Sequence, residues 1–351
     1  MEKPFLKTIL SLFVIVLIFT LAGCVNISIK TDIGGIYKST DSGQNWVKKK
    51  PISNISETRE FLENVNINVF TSDPQDPRVL YVGTKSKGAF VSIDEGNKWH
   101  RIERLPKGEI RAIEIDPNRS HVVYISVGKT IYKTTDALRS WESVYVDDKQ
   151  SSAFVSSVFI NPLYSNRIYV GFSDGRLMRS DNSGSSWSLW NKFNSKVVQI
   201  YKSSKGNKVF VATEHNGLFS VQDQTKEWKK NESLEKLRRQ RIQNVSFKDD
   251  NFFIVLTNNN LIKTDNSGDS WEELDLLLPS DYHESKSHLQ AAGFFQQDKD
   301  ILYYLTNSTL YKSKNGGKDW ITYDLGLEGT PMKFLIHPEN SEVIYLAITK
   351  K

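Results

Sequence analysis

The chain has 351 residues, 38% of them hydrophobic and 25% charged, and a formal net charge of +5 at pH 7. This fits a globular protein with a mildly basic surface. The 46 basic and 41 acidic residues nearly balance, which leaves no gathered stripe of charge of the kind nucleic acid requires. A single cysteine excludes intramolecular disulfides, thiolate zinc sites and a CxxC redox motif.

That cysteine closes the first segment, MEKPFLKTILSLFVIVLIFTLAGC. Lys3 and Lys7 precede an apolar run from Ile9 to Phe19 that is short for a spanning helix, which needs about 20 apolar residues. The plan is that of a secretory signal, the alternative being an uncleaved signal anchor. The end, Leu21-Ala22-Gly23-Cys24, resembles the lipobox of bacterial lipoproteins. The resemblance implies cleavage before Cys24 and lipid on that residue. It places the protein in the bacterial cell envelope, lipid-anchored and extracytoplasmic. We therefore expect a lipoprotein signal peptide over 1–23, a lipidated tether over 24–33 and the folded domain over 34–351.

Beyond the tether one phrase keeps returning: STDSGQNW from Ser39, SIDEGNKW from Ser92, SDNSGSSW from Ser180, TDNSGDSW from Thr264 and SKNGGKDW from Ser313. TTDALRSW (from Thr134) and SVQDQTKEW (from Ser220) are worn copies without the glycine. Seven of the eight tryptophans close a copy: Trp46, Trp99, Trp141, Trp187, Trp228, Trp271 and Trp320. Before each phrase stand two β-branched and aromatic runs split by a Gly/Asn/Ser-rich turn, which reads as a hairpin. RVLYVGTKSKGAFVS and NRIYVGFSDGRLMRS are examples. A further apolar run precedes the hairpin and another follows the Trp. Each unit is thus four antiparallel strands of about 5 residues, and a period of 40-odd residues reads as a β-propeller.

The last unit settles the count. After Trp320 the chain offers two strands and stops, whereas it begins with GGIYKSTDSGQNWVKK, a third strand, a phrase and a fourth. Pairing Ile344–Ile348 with Gly35–Ser39 completes a blade. The expectation is an all-β fold, a single seven-bladed propeller with one blade closed by both chain ends and no unpaired terminal edge.

Within the phrase, an Asp or Asn at the third position can accept turn amides. The exchange of Asp41, Asp94 and Asp136 for Asn182, Asn266 and Asn315 indicates that the oxygen matters and the charge does not. The glycines suit a left-handed position, Ser or Thr offers a hydroxyl to the backbone, and the Trp ring can pack between sheets. The pattern S/T-x-D/N-x-G-x-x-W is similar to the Asp-box, or BNR, repeat. That family holds sialidases, xyloglucan-degrading hydrolases, sortilin-type propellers and Ycf48-like photosystem II assembly factors. In it the box is a structural turn on the face opposite the ligand site, so the resemblance gives the boxes no catalytic role.

The other face, carrying the links between blades, is where ligands are expected. Its acids include Asp174, Glu214, Asp281 and Glu284, but nothing in the sequence pairs them as the two carboxylates that glycoside hydrolysis needs. The sialidase-type RIP motif is absent, and xyloglucan hydrolases use two propellers. His283 and His288 are five apart in a polar loop, so no metal is expected, and His215 reads as a surface residue. Arg238, Arg239 and Arg241, beside Lys229, Lys230 and Lys236, read as a solvated link or as a site for an acidic partner. Ycf48-like proteins bind a membrane-protein precursor through an arginine-rich face, with no position-by-position match here. The expected function is non-catalytic binding of a protein or glycan, assisting assembly of a membrane complex, by a monomer without cofactor or nucleic acid. A glycoside hydrolase is the alternative.

Overall fold

Runs of Val, Ile, Tyr and Phe bounded by Gly, Asn and Pro form seven four-stranded antiparallel sheets. The computed structural model describes residues 34–49, 65–147, 152–202, 207–223, 225–235, 241–258, 260–278 and 289–349. The signal segment, Cys24, Lys236, Arg238, Arg239, Asp281, His283, Glu284 and His288 lie outside them. In chain order, blade I comprises Ile67–Ser72, Leu80–Thr84, Ala89–Ser92 and His100–Arg101. The innermost strands of the next five blades are Ile110–Asp116, Val155–Ile160, Val197–Lys202, Ile242–Phe247 and Ala291–Phe295. Blade VII takes Thr330–Ile336 and Ile344–Thr349 from the end of the chain, then Gly35–Ser39 and Val47–Lys49 from its start. Gly35 pairs with Ile348 and Ser39 with Ile344, so the closure expected from the repeat is the one observed. The seven innermost strands touch their neighbours in a closed cycle, VII returning to I. The fold is a seven-bladed β-propeller. Among the described residues one turn of helix, Glu232–Glu235, interrupts the strands.

Outer strands run shorter than expected. Those of blades I, IV, V and VII have two or three residues, as in Lys229–Lys230 and Glu272–Glu273. An outer strand has a partner on one side only, and a short, charged edge offers little to another chain.

The cores lie between blades. Seven clusters each join neighbouring sheets, and each holds one tryptophan of the repeat. Trp99, 2% exposed, sits with Phe70 of its own blade and Tyr345 of blade VII. Trp187 Nε1 donates to Val144 O of the preceding blade at 2.8 Å, and Trp320 Nε1 to Asp275 O at 2.9 Å. Close approach also needs small residues. A Cβ on Gly171 would stand 2.4 Å from Val197 of the next blade, and one on Gly83 equally close to Ile110.

The repeated turn has one geometry in six blades. In blade III the Ser180 hydroxyl bonds Asn182 Oδ1 at 3.0 Å and accepts Gly184 N at 2.9 Å, while Asn182 Oδ1 accepts Ser186 N at 2.8 Å. Asp41 and Asp94 accept the corresponding amides at 2.9 and 2.8 Å. The fourth and fifth residues have positive φ, Ser183 at 58° and Gly184 at 93°. The copy with Leu138 folds alike at φ 71°, so that glycine is favoured but not obligatory. The fourth residue's amide bonds the turn between strands one and two of its own blade, as Glu95 N to Arg78 O and Ser183 N to Asn166 O. Both kinds of turn therefore share a rim. Blade IV lacks this geometry. Its third strand runs on to Gln222, and Asp223 follows.

Candidate functional site

Two rims and an axis are available for chemistry. On the turn rim, Asp73, Asp116 and Asn161 end their innermost strands before a proline and accept the amide two residues on. Ser120 and Ser165 each bond the corresponding carboxylate of the previous blade at 2.9 Å. At blade IV, Asp223 accepts Tyr169 OH at 2.6 Å, Arg167 at 2.8 Å and Asn161 at 3.2 Å. These groups bolt blades together and leave few free valences.

On the loop rim stand the turns between strands two and three and the links between blades. Asp174 does not stand free there. It bonds Arg176 at 2.7 Å, and Arg176 grips Asp147 through two bonds of 3.0 and 2.7 Å. The Arg176 and Asp147 side chains are 4% and 1% exposed. Glu214 bonds Arg241 at 2.7 Å and has Lys196 at 3.7 Å and His215 at 3.6 Å. Burial pushes its carboxyl up, but Arg241, Lys196 and His215 outweigh that and hold it below the ordinary value. Glu109 binds Arg111 at 2.7 Å and Asn68 at 3.1 Å, and the Arg111 guanidinium lies 3.8 Å over the Phe154 ring. The structure thus joins Glu214 to Arg241, keeps Asp174 in a separate ion-pair group with Asp147, and gives Glu109 its own cation. Among the described residues no group of three or more His, Cys, Asp or Glu is placed to hold a metal ion.

The axis holds what the sequence reading missed. Six innermost strands carry a bulge near their start, after Ile67, Ile110, Val155, Val197, Ile242 and Pro331. A bulge puts one extra residue against its partner and re-aims the side chains beyond it. By register, Val69, Ala112, Ser157, Gln199, Asn244, Ala291 and Lys333 form one ring about the axis. Thr71, Glu114, Phe159, Tyr201, Ser246, Gly293 and Leu335 form the next. Each ring has one charged residue. Glu114 faces a cavity of about 260 Å³ with Phe159 and Tyr201. Burial pushes its carboxyl up to about 8, nearby Asp116 adds to this, and the Ile160 amide at 3.3 Å opposes it. Lys333 faces a cavity of about 310 Å³, and burial holds its ammonium below the ordinary lysine value, helped by the charge of Lys196. Asp116, the acid nearest in sequence to Glu114, points into its own turn and is held by Arg119 at 2.7 Å.

With this geometry the chain can be set beside known proteins. No family model matches it. It is similar to the photosystem II assembly protein Ycf48 of Thermosynechococcus vestitus, 22% identical over 160 residues, or 45% of this chain and 42% of that one. It is also similar to a xyloglucanase of a Paenibacillus species, 25% identical over 198 residues, 45% of this chain and 19% of the relative. A shorter match, 28% over 72 residues, joins it to vacuolar protein sorting/targeting protein 10 of Chaetomium globosum, with 20% of this chain and 5% of that one covered. The chain spans less than half the length of these relatives. Among solved structures, the GH74 xyloglucanase of Xanthomonas campestris superposes with a TM-score of 0.67 at 15% identity over 81% of this chain and 51% of that one. Ycf48 bound to D1 peptide superposes with a TM-score of 0.60 at 15% identity over 82% and 94%. Such identities establish the shared propeller fold. The neighbours divide between an assembly factor and hydrolases.

Proposed function

We propose that this chain is a lipid-anchored envelope protein whose propeller binds a protein or glycan on the loop rim without catalysis. The observation that carries the reading is the pairing of acids with cations there. Asp174, Glu214, Glu109 and Asp147 are each spoken for, whereas a hydrolase needs two carboxylates free to flank a scissile bond. Glu114 has the raised pKa of a general acid but no second carboxylate beside it on the axis. The peptide complex of Ycf48 supports a protein ligand, and the likeness to that assembly protein supports work on a membrane complex. The repeated turn, with its hydroxyl, carboxamide and tryptophan, supports membership of the Asp-box group.

Topology adds to the reading. Gly35 and Ile348 pair where other blades have their turn between strands two and three, so the domain's first strand starts at the loop rim. A tether from Cys24 to Gly34 reaches about 35 Å when extended. A lipid on Cys24 would then hold the loop rim toward the membrane surface.

The test has three arms. Cys24→Ser is expected to release the protein from the membrane fraction or leave its precursor uncleaved. Crosslinking from the loop rim in intact cells is expected to capture a membrane-associated partner, and Arg241→Glu to weaken that capture. Xyloglucan and a glycan panel are expected to remain uncleaved. Turnover of any glycan, lost on substitution of one acid, would replace this reading with the hydrolase.

A further inference from the structure

The cavity at Lys333 has a composition that its packing does not explain. Inner strands of blades V, VI and VII wall it. No acid lines it, and no carboxylate among the described residues pairs with Lys333. Lys333 is half-buried, and an ammonium that gives up part of its water without a counter-charge is disfavoured. A structural role would be met equally well by methionine or leucine. Beside it, Gln243, Asn244 and Ser246 line the same space from one strand, and their side chains have no hydrogen-bond partner among the described residues. Phe334, Met332 and Leu335 supply an apolar wall. One cation, three half-buried polar side chains with free valences toward the cavity and an apolar face in about 310 Å³ match a molecule about the size of one sugar.

We propose that this axial cavity binds a small hydroxylated carboxylate, such as a sugar acid, with Lys333 Nζ on the carboxylate and Gln243, Asn244 and Ser246 on the hydroxyls. The charge selects the class. A cation meets Lys333, and a neutral sugar leaves the ammonium uncompensated. A bare anion leaves the amides unsatisfied. Burial makes the ion pair stronger than on a surface, because the dielectric is lower. The depressed pKa of Lys333 is in keeping with this, since an anion would restore the charged form. The site is separate from the loop-rim reading, and each can fail without the other.

The experiment is calorimetric titration of the purified chain with glucuronate, glucose and acetate. Glucuronate is expected to bind at one site per chain, at least about tenfold more tightly than acetate, and glucose not at all. Lys333→Met is expected to abolish binding while raising the unliganded melting temperature. Asn244→Leu tests the hydroxyl contacts and decides the matter should Lys333→Met not fold. Glucuronate no tighter than acetate, unchanged affinity in either variant, or no binding of glucuronate overturns the proposal.

Discussion

Glu114→Gln isolates one half-buried carboxyl in a stability measurement. Unfolded, the glutamate ionises near its ordinary value of 4.5; folded, it does so near 8. A raised folded value means that the folded state keeps a proton the unfolded chain gives up. The sign follows: the carboxyl costs nothing well below pH 4.5, and stability drains away as pH climbs toward 8. From those two values the wild type is about 1 kcal/mol worse off at pH 5 and about 3 kcal/mol at pH 7, relative to a side chain that never ionises. These are upper values, because water reaches the axis from the cavity mouth. Glutamine keeps the shape and the acceptor for the Ile160 amide without the charge. Urea unfolding of both proteins at pH 5, 6, 7 and 8 should show the variant's advantage widening with pH and levelling off near 8. An advantage that stays constant over that range would refute the account of Glu114 as a carboxyl kept neutral by burial.

Leu346 is buried in the strand that joins the chain ends. Leu346→Ala is expected to lower stability by about 2–5 kcal/mol, read by thermal unfolding, and a change below 1 kcal/mol would mean that this blade is frayed. Gly171→Val would drive a side chain into Val197 of the next blade; a loss of about 1–3 kcal/mol or more is expected, with Val197→Ala in the same chain restoring part of it. Ser180→Ala removes the hydroxyl that holds Gly184 N. It should cost about 1 kcal/mol by denaturant unfolding, and Ser180→Thr much less, as Thr264 fills the same role in blade V.

The blade count and the closing pairing of Ile344–Thr349 with Gly35–Ser39 were legible, because both follow from a short pattern that repeats. The axis was not. In a stretch such as IRAIEID, strict alternation puts Glu114 on the side of Ile110 and Ala112. The register shift at Arg111 breaks that period, leaving Ile110 on the other side and Ala112 and Glu114 together toward the axis. A lysine in TPMKFLI likewise reads as solvent-facing until the bulge at Met332 is known. The partners of the loop acids were illegible for another reason. Asp174 carries its partner two residues away in Arg176, but what commits that arginine is Asp147, 29 positions back and across a blade boundary. Loop composition is blind to partners that only the ring assembles.

The closing blade also sets an order of events. Gly35–Ser39 is buried at every position, yet its inner neighbour, Ile344–Thr349, is made far later in the chain. Until Ile344–Thr349 arrives, that early strand presents a bare hydrogen-bonding edge and four side chains with nowhere to go. Six blades can stack in the meantime, each on the one before, but the circle stays ajar and the first hairpin is a hazard for mispairing with another copy. Synthesis interrupted before Ile344 would therefore leave a far stickier molecule than the loss of one strand suggests.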